Sequence, residues 1–181
     1  MIIKATRHKF DIPFTIIDRG SGTFLAAMED IDLSEGGTLD WVPPRRILKV
    51  PAALPVIGGM VITSPLGVEY MVAEYSPSET SQGNPFKAFK LFQVTSHPEM
   101  RRRSTTIDLR TGLPREGVLG PATVIYASRE PLQEAFDREL RIPNEKSRLV
   151  TNEPIVAGDI IDGETVIEAH PFRGLWGAVL G

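Results

Sequence analysis

The chain has 181 residues and a mass of 19.9 kDa, with 41% apolar and 24% charged residues and a formal net charge of −3. These values suit one ordinary domain or two small ones, and they exclude a chain disordered throughout and a strongly basic nucleic-acid binder. The absence of Cys removes disulfide frameworks, thiolate metal sites, iron–sulfur clusters and cysteine nucleophiles.

No run of about 18 apolar residues occurs. The first twenty residues, broken by Lys4, Arg7, His8, Lys9, Asp11 and Asp18, lack a secretory apolar region, so the protein is expected to be soluble and unexported. Along the chain, Phe14-Thr15-Ile16-Ile17 and Thr23-Phe24-Leu25-Ala26 flank Asp18-Arg19-Gly20-Ser21-Gly22, which predicts a β-hairpin. Glu29 to Gly37 is acidic and reads as a surface loop. Trp41-Val42-Pro43-Pro44 is confined to an edge or a connection, because neither proline can donate to a ladder.

Residues 46–94 form the densest strand block. Met60-Val61-Ile62-Thr63 and Val68 to Tyr75 are joined by Ser64-Pro65-Leu66-Gly67, whose Pro presets φ and whose Gly closes a tight turn. Between Tyr75 and Phe86 lies a polar stretch, Ser76 to Pro85, long for a hairpin loop. Loops of that length often bind, which makes Ser76, Ser78, Glu79, Gln82 and Asn84 interaction candidates.

After Thr95 the alternation stops. The run Arg101-Arg102-Arg103 and the turn-rich Thr111 to Pro121 predict a linker over 96–121, dividing an N-terminal β module, 1–95, from a helix-plus-β module, 122–181. In the latter, Ser128 as N-cap, Pro131 in the first turn and apolar Leu132, Ala135, Phe136 and Leu140 predict one short helix over about 128–141. The apolar end, Phe172 to Gly181 with Trp176, is expected to pair into a sheet or a neighbouring subunit. The fold class expected is mainly β, two small barrel- or sandwich-like modules with that helix.

The chain also echoes itself. Pro55-Val56-Ile57-Gly58-Gly59-Met60-Val61-Ile62 is matched by Pro154-Ile155-Val156-Ala157-Gly158-Asp159-Ile160-Ile161, each followed by a turn and another apolar run. Upstream, Arg46-Ile47-Leu48 finds a counterpart in Arg148-Leu149-Val150. A strand, a direction-changing Gly and a tight hairpin are thus expected twice.

Chemistry is sparse in the letters. His8, His97 and His170 share no metal-ligand spacing, and neither a nucleophile elbow nor a phosphate-binding P-loop occurs. Asp159, Asp162, Glu164 and Glu168 form an acidic group that reads better as a polar hairpin face than as a cation site. Arg101, Arg102 and Arg103 suit a polyanion, an acidic neighbouring subunit or solvent.

The cadence from Gly59-Met60-Val61-Ile62 to Gln93-Val94, repeated at Gly158-Asp159-Ile160-Ile161 through Ile167, resembles the small β-barrel head-completion or stopper proteins of the tailed-bacteriophage neck. The resemblance covers about half of the sequence. It implies a non-enzymatic virion protein, assembled in the host cytoplasm, that forms a homo-oligomeric ring in the head-to-tail connector. It implies portal or adaptor and tail proteins as partners, non-specific contact with genome DNA, no membrane and no cofactor. Ser76 to Pro85 would project into the channel or an adjoining ring, and Arg101 to Arg103 would touch a neighbour or line the lumen. A β-rich ligand- or carbohydrate-binding module is the alternative, and a hydrolase with an unrecognised site a more distant one.

Overall fold

In the computed structural model the described residues are 9–30, 46–74, 86–104, 106–107, 110, 114–115, 117–131 and 147–181, and all their regular structure is strand. The first six strands are β1 (Ile12–Ile16), β2 (Gly22–Asp30), β3 (Arg46–Pro51), β4 (Val61–Thr63), β5 (Glu69–Glu74) and β6 (Phe86–Gln93). They close into a barrel in the order β1-β2-β3-β6-β5-β4, every pair antiparallel. Alternation fixes the faces: Phe24 and Ala26 turn inward while Leu25 between them is exposed. The β1–β2 hairpin and the Ser64–Gly67 turn form as the sequence predicts, with Gly67 at φ 75° and its N–H donating to the Ser64 carbonyl.

The remaining strands are β7 (Glu99–Arg101), β8 (Thr106–Ile107), β9 (Pro114–Arg115), β10 (Thr123–Val124), β11 (Ala127–Pro131), β12 (Ser147–Thr151), β13 (Ile160–Ile161), β14 (Glu164–Phe172) and β15 (Leu175–Leu180). Seven of them form a sheet ordered β10-β7-β13-β14-β15-β12-β11. Its end members are two parts of one extended run, 123–131. Thr123 pairs with Met100 and Val124 with Glu99, the same register continues to the Ser96–Ala127 bridge, and from Ala127 onward the run pairs with β12. The sheet therefore meets itself and closes as the first one does.

Following the registers around both sheets superimposes one plan on the other. Strands β2 to β6 correspond to β10–β11, β12, β13, β14 and β15, and β1 corresponds to β7 with the residues before it. The echo motif is the clearest shared part. Gly59 at φ 88° donates to Val72 O and Val72 donates to Met60 O; Gly158 at φ 92° donates to Val166 O and Val166 donates to Asp159 O. All eight buried residues of the second core, Ile125, Ala127, Leu149, Ile155, Ile161, Val166, Ala178 and Leu180, occupy positions held in the first by Phe24, Ala26, Leu48, Val56, Ile62, Val72, Phe89 and Leu91. The sequence-level match of Arg46-Ile47-Leu48 with Arg148-Leu149-Val150 is one residue out of register: Leu48 aligns with Leu149, since a slip of one would turn each strand inside out.

Two expectations change. The helix does not begin at Ser128: Ala127–Pro131 is β11, and the rest of that expected helix, 132–141, lies outside the described residues. Ala127 and Ser128 are both buried by pairing with β12 and with Ser96, a long-range constraint that overrides a local N-cap signal. The stretch 96–121, read as a linker, supplies strands: β7 belongs to the second sheet, Arg103 bridges Leu119, and β8 pairs with β9. This ribbon replaces a short turn. Five residues, 17–21, join Ile16 to Gly22 in the first barrel, whereas twenty-two, 101–122, join the corresponding Met100 to Thr123.

Candidate functional site: the inter-barrel contact and the arginine ribbon

The barrels touch through different faces. The first offers its β1–β2 turn, its Gly58–Gly59 turn and the outer side of β4, β5 and β6; the second offers the connection after β12 and the β14–β15 turn. Between them lies a third apolar cluster, Val61, Met71, Ala73 and Phe92 against Val150 and Leu175, with Val94, Tyr126 and Phe172 packed on it. Phe92 and Phe172 meet edge to face at 5.8 Å.

Three glycines let the two backbones come together. A Cβ on Gly174 would sit 2.9 Å from Gly58 C and Cα, and one on Gly59 would sit 2.8 Å from Gly174 O. Gly59 and Gly174 also have φ of 88° and 84°, a region that side chains other than glycine's occupy at a cost. The Glu74 N–H donates to Arg173 O at 2.9 Å, joining the end of β5 to the facing turn.

A polar rim surrounds this seam. On the β1–β2 turn, Arg19 Nη2 donates to Asn152 O at 2.6 Å and approaches Glu153 Oε1 at 3.5 Å, while Asn152 Nδ2 donates to Asp18 Oδ2 at 2.6 Å. On the opposite flank the Thr95 N–H donates to Ala127 O, the Arg129 N–H donates to Thr95 Oγ1, and His97 Nε2 lies 2.7 Å from Glu69 Oε2. The His97 ring stands edge-on to Tyr126 at 5.2 Å. Burial pushes the Tyr126 phenol up from its ordinary pKa of 10.0, and the charges of Glu69 and Asp18 add to the shift.

The arginine run divides by role. Arg102 is anchored: its Nε and Nη2 donate to Asp159 Oδ1 and Oδ2 at 3.3 and 3.1 Å, and Nη2 also donates to Pro154 O at 2.7 Å. Asp159 is 1% exposed and accepts from the Val156 N–H as well, and its carboxylate holds the guanidinium above its usual pKa. Arg101 is exposed at the start of the ribbon, 3.8 Å from Glu99, and Arg103 is exposed beside Leu119. Val118 and Val124 on the returning strand are exposed too.

Of the other candidates, Trp176 lies half-buried in β15 against the second core, so its indole packs within the barrel. Ser76, Ser78, Glu79, Gln82 and Asn84 lie outside the described residues. The acidic group does not converge: Asp159 holds Arg102, Asp162 accepts from the Glu99 N–H, and Glu164 pairs with Arg129. Among the described residues no three His, Asp or Glu side chains gather as metal ligands. Sequence reasoning read Asp18 and Arg19 only as part of a turn and Gly174 only as part of the apolar C-terminal run, and it passed over Asn152. One signal was present: the echo places Gly58-Gly59 against Ala157-Gly158, and the unmatched Gly58 is the one pressed against the other barrel.

Comparison with known protein families, with curated proteins and with solved structures gives no match.

Proposed function

We propose that this chain is a structural component of a tailed-phage neck, forming a homo-oligomeric ring in the head-to-tail connector that joins portal or adaptor to tail and helps to retain DNA. The observation that carries the reading is the contact between different faces of two barrels of one plan, with glycines at its closest approach and an apolar seam. Such a unit transmits position and load rather than chemistry, and its heterologous contact is of the kind that builds rings. The exposed arginine ribbon is the part of the second barrel best suited to reach a neighbouring subunit or a nucleic-acid backbone. The test is sedimentation of the purified chain with negative-stain imaging, then pull-down against the portal, adaptor and tail proteins encoded beside it. Rings that bind one of these are expected; a strict monomer that binds none would sink the reading.

A further inference from the structure

Most of the polar side chains that the fold buries are matched. Ser64 accepts from the Val68 N–H, Ser147 from Arg129 Nε, Thr151 from the Glu153 N–H and Asp159 from Arg102. Asn152, 2% exposed just beyond β12, stands apart. Its Nδ2 donates to Asp18 Oδ2 at 2.6 Å and its backbone carbonyl accepts from Arg19 Nη2, both across the seam, but its side-chain Oδ1 meets no donor among the described residues. Turning the amide over gives no relief, because it would set Oδ1 against the Asp18 carboxylate at the same 2.6 Å. The group also belongs to the junction and not to the barrel plan. The register that aligns Leu149 with Leu48 and Thr151 with Val50 puts Pro51 at the position of Asn152 in the first barrel, where there is no side-chain amide.

We propose that Asn152 Oδ1 is a binding site for a single buried water shared by the two barrels. A buried carbonyl oxygen needs a donor, since leaving it bare forfeits the hydrogen bonds it made in water. The donor must be small and neutral. The Arg19 guanidinium beside the amide repels a cation, and Oδ1 together with the Asp18 carboxylate repels an anion. Asp18, whose Oδ2 lies 3.7 Å from Arg19 Nε, and Arg19 itself supply an acceptor and a donor for the water's other hydrogen bonds. Gly59 leaves the guanidinium its place, because a Cβ there would stand 3.0 Å from Arg19 Nη1. Asn152 comes from the second barrel, Asp18 and Arg19 from the first, so the water ties one to the other with bonds nearly as good as direct ones. It exchanges only when the barrels part at this edge. The seam is thus apolar in its middle and hydrated at Asn152, and the site goes beyond the ring reading without depending on it.

The experiment is a crystal structure of the full chain at a resolution that shows ordered water, joined to water magnetic relaxation dispersion, which counts long-lived internal waters, on the parent and on Asn152→Leu. Density for a water within about 3.2 Å of Asn152 Oδ1 is expected in the parent. The Leu side chain has nearly the same shape but neither accepts nor donates, so that variant should lose one long-lived water. A bare Oδ1, an ion or a protein donor in the water's place, or a count that Asn152→Leu leaves unchanged overturns the site. If the Leu variant does not fold, the crystal structure of the parent decides by itself.

Discussion

The two barrels follow one plan with different interiors, and the difference is informative. The first core carries Phe24, Val50, Met60 and Phe89 where the second carries Ile125, Thr151, Asp159 and Ala178. Four apolar positions in one are thus smaller or polar in the other, so the second barrel buries less hydrocarbon at these sites. It has two compensating devices: the Arg102–Asp159 clamp between its first and fourth strand positions, and the seam against its neighbour. The outer faces diverge further. Where the second barrel buries Val150 and Leu175 and half-buries Tyr126 at the seam, the first has exposed Leu25 and half-buried Lys49 and Phe86. The shared inward positions specify the barrel; the outward ones specify what each barrel meets.

The strongest way to break this comparison is to give the second barrel the first one's letter at the seam. Val150→Lys buries an ammonium among Val61, Met71 and Phe92 and should cost on the order of 3–5 kcal/mol, whereas Lys49→Val loses a partly exposed pair with Glu29 and the approach to the Phe86 ring and should cost about 1 kcal/mol. Chemical denaturation of both variants checks this. Equal losses would mean that the seam does not hold the barrels together.

Next in size is a matched pair of glycines. Gly59 and Gly158 have nearly the same φ, but a Cβ on Gly59 meets the Gly174 carbonyl and Arg19, while one on Gly158 meets nothing within 4 Å. Gly59→Ala should therefore cost about 3 kcal/mol and loosen the junction, and Gly158→Ala about 1 kcal/mol from backbone strain alone. Limited proteolysis between the barrels, together with the unfolding midpoint, separates the two effects. A third contrast concerns the buried carboxylate. Asp159→Ala strips Arg102 and the Val156 N–H of their acceptor and should cost about 2–3 kcal/mol, discounted because Arg102 is half exposed. The double variant Asp159→Met with Arg102→Ile, which gives the second barrel the apolar Met that the first carries at Met60, should recover most of that loss.

Much of the fold was legible because hairpins are local. Asp162-Gly163, with φ of 49° and 87°, and Ser64 to Gly67 are turns whose residues declare themselves. The repeat was legible because Gly158 and Gly59 need the same backbone conformation. The ribbon at 96–121 was not, because its strands are short, polar and interrupted by two register slips, so no period of two survives in the letters. The start of β11 was hidden for the opposite reason: Ser128 and Pro131 are good helix openers, and only pairing with β12, far along the chain, decides against them. The junction left no trace beyond the unmatched Gly58, because its closest contacts are made by glycines and backbone carbonyls, whose roles depend on a partner 100 residues away or more.

The smallest effect separates the faces by pH. At equivalent positions stand Tyr126, half-buried at the seam, and Leu25, which has no proton to lose. Burial and the nearby carboxylates of Glu69 and Asp18 raise the Tyr126 pKa in the folded state. A raised pKa on an acid means that the folded protein resists losing the proton that the unfolded chain gives up at about pH 10. The stability linked to this group is therefore complete below about pH 10 and drains away as pH rises through the folded-state value, because only the unfolded chain gains from ionising in that window. In the parent, the unfolding midpoint should fall more steeply above about pH 10 than in Tyr126→Phe, while the two should run parallel between about pH 7 and 9. Curves that stay parallel above about pH 10 would mean that the phenol titrates alike in both states and that water reaches the seam at Tyr126.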